Sequence, residues 1–427
     1  MLSIAGAVVL GGLCFLGGVA RAEEPYHTPL AGDAYTTTLL GQPVNAPARD
    51  RTNVTALDLG VYFVPDIKEE VVQPFGSLYF WRNLDDGKTI VRAIVAGVYN
   101  DVWYSVTPPA LGGAEAVFIL HNFTVPVAQS EYVEGVEISD DLYWFQMNLG
   151  FGLGYSTKLA PGLQDNRLDV SLTYEPGFLA FRKGSETLPG YRVPQNTYEG
   201  RVHLRFRADA MTRNLMELAH HGLSGGMDAV YGNRVDWNNW GGDPAFGMSG
   251  GASHRNWLTA TAYAVAAGGV PFVQDERQRL IARLHAGVGS HVDRFSALRI
   301  NGGIFGDEAE DLSRAPLPAA AYNEFFTDLY SIASLEYRYE LLFFTYLHLR
   351  GNIAWVDRYR FDSPSITGPA SYQFDTIPSV TVGITTGFIW NSELEVYYTH
   401  SFGLLREIDR NPRFGGNSVV VLWAREF

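Results

Sequence analysis

The chain has 427 residues, of which 46% are hydrophobic and 18% charged, with a formal net charge of −14. This composition excludes a disordered chain, which combines low hydrophobicity with dense like charge. Past residue 22 no uncharged apolar run approaches the ~18–20 residues that a membrane-spanning helix needs, so a helical membrane protein is also excluded. The acidic balance argues against nucleic acid as a partner. The 45 glycines and many aromatic residues fit either a β-sandwich or a membrane β-barrel.

The first 52 residues divide into two predicted segments. Residues 1–22 resemble a secretory signal peptide, because Leu2 to Ala20 is uncharged and Ala20-Arg21-Ala22 fits a cleavage site. An uncleaved anchor helix is the alternative. The only cysteine, Cys14, lies in this segment, so no disulfide or cysteine metal site is expected in the mature chain. Residues 23–52 contain four prolines and are predicted to be a periplasmic lead-in segment, before a barrel domain at 53–427.

The rest of the chain alternates with a period of two. Between Leu142 and Ser156, apolar residues from Tyr143 to Tyr155 alternate with polar or small ones. Successive side chains of a strand point to opposite faces, so one face is continuously apolar. Ten or more residues per strand, with aromatic residues ending the apolar face, favour a membrane barrel over a soluble sandwich. The predicted fold is therefore an all-β, antiparallel transmembrane β-barrel.

Fifteen strands are predicted from this pattern, and an even number is needed to bring both termini to one side. We expect the sixteenth within residues 33–44; 14 strands is the alternative. The fifteen lie near 55–64, 71–83, 89–106, 113–127, 142–158, 166–183, 197–210, 222–236, 254–268, 277–291, 327–340, 345–361, 371–390, 393–405 and 416–427.

Loop lengths predict the orientation, because outer-membrane barrels have short periplasmic turns and long outer loops. Pro65–Glu70 and Thr107–Gly112 are assigned to the periplasm, and Leu84–Lys88 is the one short connection assigned to the outer side. Residues 292–326 form the longest outer loop. These assignments place the protein in a Gram-negative outer membrane, in contact with its lipid, with both termini in the periplasm.

The C-terminal half resembles the BamA/TamA-like bacterial surface antigen barrels. The similar segments are Asp209-Ala210-Met211-Thr212-Arg213-Asn214 with His221-Gly222, Asp293-Arg294-Phe295 leading to Asn301-Gly302-Gly303, Glu336-Tyr337-Arg338, Trp355-Val356-Asp357, the tightly connected pair Val380–Trp390 and Leu394–Phe402, and the terminal Phe427. The resemblance implies a role in outer-membrane biogenesis or in translocation of protein or lipid. It also implies that the barrel assembly machinery recognises the C-terminal strand as an assembly signal, through Val419, Val421, Trp423 and Phe427.

Two features depart from that family. Its sixth outer loop carries an Arg-Gly-aromatic motif that docks inside the lumen, whereas loop 292–326 lacks Arg-Gly and has Arg314 as its internal arginine after Gly303. We also expect no POTRA module, because about 30 residues before the first clear strand are too few. Both departures leave barrel insertion in question, and the transported or inserted substrate is unknown.

Three groups of residues contain side chains of the types found in metal sites or hydrolase active sites. His220-His221, with Glu217 and Asp228 nearby, lacks the ligand set of a zinc site. Asp307, Glu308, Glu310 and Asp311 lack the spacing of a calcium loop. His400 and Ser401 are adjacent and so face opposite sides of a strand, unlike the Ser–His pair of a lipase. The prediction is that the protein is not an enzyme and holds no metal or cofactor.

The inward charges and the longest loop define the candidate site. The alternation directs these charged side chains toward the lumen: Arg201, Arg205, Arg207, Arg279, Arg283, Arg338, Arg350, Glu336, Glu393 and Glu395. The preferred interpretation is ion pairing within the barrel; an anion-favouring pore is the alternative. Arg314 is predicted to carry loop 292–326 into the lumen. Biogenesis or translocation, a passive diffusion channel and a structural anchor remain as functions.

Overall fold

The structure is a computed structural model that describes residues 26–427 with gaps. The gaps are residues 40, 50, 52, 67–70, 85–87, 98, 125–131, 134–135, 138–141, 160–166, 186–191, 238–239, 241–253, 294, 301–314, 322–324, 362–369, 389–391 and 409–410. The predicted signal peptide at residues 1–22 and Arg314 therefore lie outside the described residues, as does the acidic cluster from Asp307 to Asp311. Within the described ranges no helix is long and apolar enough to cross a membrane.

The described residues form 21 strands and one 3-10 turn at Pro109–Leu111. The strands are β1 (Tyr35–Leu39), β2 (Gln42–Ala46), β3 (Asn53–Phe63), β4 (Val72–Leu84), β5 (Thr89–Val95), β6 (Tyr99–Val106), β7 (Glu115–Thr124), β8 (Tyr132–Val133), β9 (Val136–Glu137), β10 (Leu142–Lys158), β11 (Arg167–Lys183), β12 (Thr197–Arg213), β13 (Ala219–Arg234), β14 (Asn256–Gly269), β15 (Gln278–Ser290), β16 (Leu298–Ile300), β17 (Phe325–Leu342), β18 (Thr345–Phe361), β19 (Ala370–Phe388), β20 (Ser392–Ile408) and β21 (Asn411–Glu426).

Sixteen antiparallel strands close into a barrel, which confirms the predicted fold and excludes the 14-strand alternative. Each barrel strand pairs with its neighbour in sequence, and β21 pairs with β3 to close the ring. The short strand β16 lies beside the end of β17, and β8 pairs only with β9 among the described strands.

The two faces of the wall follow the alternation in the sequence. On β10, Gln146 and Asn148 are buried toward the inside, whereas Leu149 and Phe151 are each 53% exposed on the outside. The neighbouring strand β11 repeats this pattern with Thr173 buried and Leu172 exposed. An apolar outer surface of this kind is stable against lipid acyl chains and costly in water, so the fold is that of a membrane barrel.

Two strand predictions were wrong, and the errors compensate each other. Residues 33–44 contribute no barrel strand: β1 and β2 form a separate hairpin, with Tyr35 paired to Ala46. The segment 89–106 is two strands, because the chain reverses at Gly97, whose φ of +76° suits a residue without a side chain. The Asn100 amide donates to the Gly97 carbonyl at 3.1 Å and stabilises this turn.

The extra strand also corrects the sides of the first turns. We call the end of the barrel that carries Asn53 and Phe427 the proximal end, and the opposite end the distal end. Residues 64–71 and 96–98 connect strands at the distal end, whereas 85–88 connects strands at the proximal end, the reverse of the predicted sides for Pro65–Glu70 and Leu84–Lys88. The connection 107–114 is proximal, as predicted, and 291–324 is distal.

The wall is shorter on one side than on the other. Strand β5 has 7 residues and β6 has 8, whereas the barrel strands from β10 to β21, apart from the added strand β16, have 13 to 19. Seven residues at ~3.3 Å each, tilted by ~45°, give a height of roughly 16 Å, below the ~25 Å apolar band of a typical barrel. The short side is separated from the closing pair of β3 and β21 by one strand, β4.

Candidate functional site

Glu336, on β17, is the centre of a group of cationic side chains inside the barrel. Its carboxylate accepts hydrogen bonds from Arg283 at 2.7 Å, from Arg350 at 2.6 and 2.9 Å, and from Arg338 at 3.0 Å. The Nδ1 atom of His348 lies 3.0 Å from the same carboxylate. All five side chains are buried. An unpaired buried charge is very costly. Removing one member of this group would therefore leave another without its partner and destabilise the barrel.

A second group connects the wall to two distal loops. Glu199, fully buried on β12, accepts hydrogen bonds from Gln146 at 2.7 Å and from the Nε atom of Arg234 at 2.5 Å. Arg234 also donates through Nη1 to Asp293 at 2.7 Å, and the indole of Trp237 donates to the same carboxylate at 2.9 Å. Asp293 belongs to the loop after β15 and Trp237 to the loop after β13. The loops are therefore held against the inside of the wall.

A third group surrounds His203, on β12. Its two ring nitrogens lie 3.0 Å from a carboxylate oxygen of Glu175 and 2.8 Å from one of Asp228. Arg207 also binds Asp228. A histidine placed between two carboxylates can hydrogen-bond to both through its two ring nitrogens. These mutual contacts inside the wall fit structural ion pairing.

The remaining predicted arginines also have neighbours inside the barrel. Arg201 lies 2.7 Å from Glu199. The guanidinium group of Arg205 lies 5.0 Å from the centre of the Trp103 ring, within the range of a cation–π contact. Arg279 lies 3.2 and 2.6 Å from the two ring nitrogens of His220 (described below). These contacts favour ion pairing and stacking over a lining of free positive charge.

Glu393 and Glu395, on β20, share a face with the buried Thr399. Both glutamates are half-buried. Arg314 lies outside the described residues, so its entry into the lumen stays a prediction.

A described part of the longest loop, residues 315–321, lies inside the barrel. Leu317, Ala319 and Ala320 are at most 1% exposed. They form one apolar cluster with Leu298 and Ile300 and with inward residues of four consecutive strands, Tyr330, Ile332, Ala354, Val356, Ile377 and Leu404. Ile332 and Glu336 lie on the same face of β17, so the cluster is on the lumen side. Apolar burial holds this segment against the wall.

The same segment reaches the strands that close the barrel. Ala321, which is fully buried, packs with Tyr62 and Val64 at the end of β3 and with Val420 on β21. Residues 317–321 thus contact inward residues of strands from β17 round to β3. A segment that touches this much of the wall occupies the lumen rather than extending away from the barrel.

An aromatic cluster covers the distal end on the other side. Trp144, Trp237, Trp240 and Phe295 are buried together with Leu179. The ring centres of Trp144 and Phe295 are 5.4 Å apart, and those of Trp240 and Phe295 are 5.2 Å apart, both within the range of favourable aromatic pairs. These residues come from two wall strands and two loops. Their burial shows that the described parts of the two loops pack against the wall at this end.

The closing pair of strands is only partly hydrogen-bonded. Eight residue pairs join β21 to β3, from Val419–Phe63 to Glu426–Ala56. Strand β21 begins at Asn411, so its first eight residues have no partner strand on this side among the described residues. The backbone N–H of Asn417 instead donates to Asp66 at 2.7 Å. Among the described residues, the pairing between β3 and β21 (the seam) therefore covers only the proximal half of β21.

The other candidate groups do not form chemical sites in the described structure. His220 is buried and His221 exposed, so the two rings do not converge. The described residues contain no group of three or more His, Cys, Asp or Glu side chains arranged for a metal. His400 lies 3.0 Å from the amide of Asn417, whereas Ser401 is buried and donates to the Pro378 carbonyl at 3.5 Å. These two side chains have separate partners.

The residues of the predicted assembly signal lie on the last strand. Val421 is 40% exposed on the outer face, and the indole of Trp423 donates to Ser392 at 2.8 Å. Val419 is paired with Phe63 across the seam. Phe427 is 67% exposed, and its backbone N–H donates to Thr55 at 2.8 Å.

No protein-family model matches the sequence, and no curated protein matches it. Among solved structures, the chain is similar to BamA from Haemophilus ducreyi lacking POTRA domains 1-3, with 9% identity and a TM-score of 0.48, covering 91% of this chain and 75% of that one. It is also similar to CdiB from Acinetobacter baumannii, with 11% identity and a TM-score of 0.46, covering 93% of this chain and 66% of that one.

CdiB from Escherichia coli is a third similar structure, with 13% identity and a TM-score of 0.45, covering 92% of this chain and 67% of that one. These similarities concern the barrel fold alone.

Proposed function

We propose that the chain is an outer-membrane barrel that acts in membrane biogenesis or in translocation of protein or lipid, with its lumen closed at rest. The observation that carries this proposal is the burial of Leu317, Ala319 and Ala320 against the inside of the wall. A passive diffusion channel needs a continuous aqueous path, whereas this lumen holds a loop segment and paired charges. A barrel with a closed lumen suits a substrate route that opens on demand, either through the lumen or sideways between two wall strands into the membrane.

The proposed orientation places the proximal end in the periplasm. The proximal connections include the short turns 214–218 and 343–344, whereas the distal connections include 235–255 and 291–324. Outer-membrane barrels have short periplasmic turns and long outer loops. Both termini of the barrel domain would then lie in the periplasm, and the apolar outer face would contact outer-membrane lipid.

The seam supports the lateral route. Parting two strands requires breaking the hydrogen bonds between them. The β3–β21 pair has eight residue pairs, as few as β6 and β7 and one more than β4–β5 or β5–β6, but it alone joins the first and last barrel strands, and the first eight residues of β21 are not paired with β3. Strands β5 and β6, which are separated from the seam by β4, are too short to match a normal apolar band, so the bilayer beside them has to thin. A partly paired seam close to a thinned bilayer lowers the barrier for strands or lipids to move between barrel and membrane.

Assembly of the protein itself is proposed to depend on its last strand. Val421 and Phe427 present apolar side chains on an exposed surface, which fits recognition by the barrel assembly machinery before the strand is fully surrounded by lipid. The expected effect of Phe427→Ala is a reduced yield in the membrane of cells. Refolding of the same variant from urea into detergent should remain unchanged, because no assembly machinery takes part.

A disulfide across the seam tests the proposed function. Val61 and Val421 are paired across the seam and both face outward at 40% exposure, so Val61→Cys/Val421→Cys should cross-link when oxidised. The matched control joins Leu347 and Ile384, which are paired within the continuous wall of β18 and β19. The assay measures folded barrel proteins and surface lipid in the outer membrane of cells that depend on this chain.

The lateral route predicts that the oxidised seam variant loses function and that a reducing agent restores it, while the oxidised control keeps function. If both oxidised variants support the same membrane composition, the seam does not open and the lateral route is wrong. A passive channel would tolerate both cross-links, because its path runs through the lumen.

A further inference from the structure

The N-terminal segment before the barrel contacts the proximal end through three successive sites. At the first site, the Tyr26 hydroxyl donates to Glu340. The Thr28 hydroxyl donates to the other carboxylate oxygen of Glu340 at 2.7 Å, and the Thr28 backbone N–H donates to Glu276 at 3.1 Å. His27 lies 3.2 Å from Glu276. Glu340 lies at the proximal end of β17, and Glu276 belongs to the β14–β15 connection.

At the second site, the segment adds backbone hydrogen bonds to the β12–β13 connection. Leu30 and Asn214 form an antiparallel bridge. The Ala31 N–H donates to the Arg213 carbonyl at 3.0 Å, and the Leu215 N–H donates to the Pro29 carbonyl at 3.0 Å. Ala31 is only 5% exposed, as is Thr28. The segment is thus packed against the barrel end, not merely tethered to it.

The third site is Arg49, which binds both Glu217 and Glu426. Arg51 binds Glu217 as well. Glu217 lies between the eighth and ninth barrel strands, and Glu426 ends the sixteenth. Sixteen strands spaced ~4.8 Å apart and tilted ~45° close a ring roughly 30–35 Å across. One guanidinium group spans only a small part of that distance.

The contact at Arg49 therefore requires chain to extend over the mouth. Arg49 precedes the first barrel strand, at Asn53, by four residues, so it lies within ~14 Å of that strand. Glu217 lies in the 214–218 connection, whose two strands are on the opposite side of the ring. This connection therefore has to lean inward for Glu217 to reach Arg49. Leu218 and Asn214 are accordingly buried.

The hairpin between these sites folds back across the same end. Its base is closed by the Arg49 N–H, which donates to the Gly32 carbonyl at 3.0 Å. From that base, Tyr35 reaches the β17–β18 connection, where its ring centre lies 5.1 Å from that of Phe343. The chain from residue 26 to residue 51 thus contacts connections spread around the barrel end and the last strand.

We propose that the described residues between 26 and 51 are a strap that closes the proximal mouth, as an autoinhibitory contact separate from residues 315–321 inside the barrel. This inference rests on the proposed function and extends it. A lumen closed by one segment would open in one release step, whereas a lumen also closed by the strap needs two. Four carboxylates hold it, namely those of Glu217, Glu276, Glu340 and Glu426, and they come from two connections, the proximal end of β17 and the last strand. Anything passing through the lumen must displace both closures.

Conductance in planar bilayers tests whether two closures act in series. Four proteins are compared. They are the unmodified chain, a variant that lacks residues 301–321, the variant Arg49→Ala/Arg51→Ala, and a variant that carries both the deletion and the two substitutions. Each single change should leave conductance near that of the unmodified chain, while the combination should raise it several-fold. Full opening by the loop deletion alone, or no opening by the combination in a folded barrel, would overturn the proposal. Heat-modifiable migration on gels verifies that each variant is folded.

A spin label provides a second readout that does not depend on the loop. Thr38→Cys places the label at an exposed position of the hairpin. Arg49→Ala/Arg51→Ala should increase the mobility of this label, whereas Arg49→Lys/Arg51→Lys keeps the charges and should largely preserve its restriction. A label that is equally restricted in the alanine and unmodified proteins would show that the arginines do not hold the strap.

Discussion

Glu336 on β17 and Arg350 on β18 are directly opposite each other in the register of the two strands, and Arg350 donates two hydrogen bonds to the carboxylate. Two further arginines, Arg283 and Arg338, bind the same group. One buried anion therefore binds three cations, which also have other contacts; Arg338, for instance, donates to the Ala219 carbonyl at 2.8 Å. Removing the anion and removing one cation should have unequal consequences.

We predict that Glu336→Gln lowers the free energy of unfolding by about 3–5 kcal/mol, because it leaves buried arginines without their counter-charge. Arg350→Gln should cost less, since Glu336 keeps Arg283 and Arg338. Urea titration of the refolded barrel in liposomes measures both values. Equal losses for the two variants would mean that the carboxylate is not the centre of the group.

The free-energy cost of placing a charge on the outer face of the barrel should depend on its position along the strand. Leu172→Arg, at a 55% exposed site in the middle of β11, should cost about 2–4 kcal/mol, because the charge enters the apolar band. Leu111→Arg makes the same change at a 39% exposed site in a proximal turn, where the cost falls to about 0–1 kcal/mol. Matching costs in liposome titrations would contradict the assignment of β11 to the bilayer.

The contact of the strap with Glu276 should loosen in acid. Burial alone would raise the pKa of Glu276, but the hydrogen bonds from the Thr28 N–H and from His27 outweigh it and hold the pKa below its ordinary value of 4.5. Arg279 acts in the same direction, and Glu340 and Arg277 also face this contact. A lowered carboxyl pKa stabilises the docked strap above pH 4.5, and this stabilisation is lost as the pH falls through the docked-state value.

The expected result is greater mobility of a spin label at Thr38→Cys below about pH 4.5. The variant Glu276→Gln removes this titrating group, so its label should be more mobile at neutral pH and respond less to acid. A label in the unmodified background that is unaffected by acid down to unfolding would show that Glu276 does not hold the strap.

Leu317 should keep the long loop inside the lumen. Leu317→Asp places a charge in an apolar cluster, which favours release of the loop. Trypsin added to the folded barrel should then cut faster after Arg314. The matched variant Leu317→Met conserves volume and apolar character, so its cleavage rate should stay near that of the unmodified chain. Equal cleavage of the aspartate and methionine variants would mean that Leu317 does not anchor the loop.

Alternation predicted most of the wall because a barrel strand repeats one physical rule along its length. Leu149 and Phe151 face lipid while Gln146 and Asn148 face inward, as the sequence order requires. The reversal at Gly97 is harder to see, since alternation continues on both sides of it and a single glycine also occurs within strands. The threonine-rich β1 fits a strand equally well in a barrel or in a free hairpin.

The candidate site was less accessible to sequence reasoning. Inward placement of Arg234 follows from alternation, but its contacts with Glu199 and Asp293 depend on strand register and on a loop. The strap was missed for the same reason, because nothing near Arg49 in sequence indicates that Glu217 and Glu426 meet there. A single sequence shows which face a residue takes, and register decides which residue it meets.

The central claim, a lumen closed at rest by the chain's own segments, is tested most directly by the steady conductance of the refolded, unmodified protein in planar bilayers. Residues 317–321 inside the barrel and the strap at its proximal end together predict a low conductance without a large, stable open state. A large and steady conductance from every inserted molecule would contradict the account and identify the protein as an open diffusion channel.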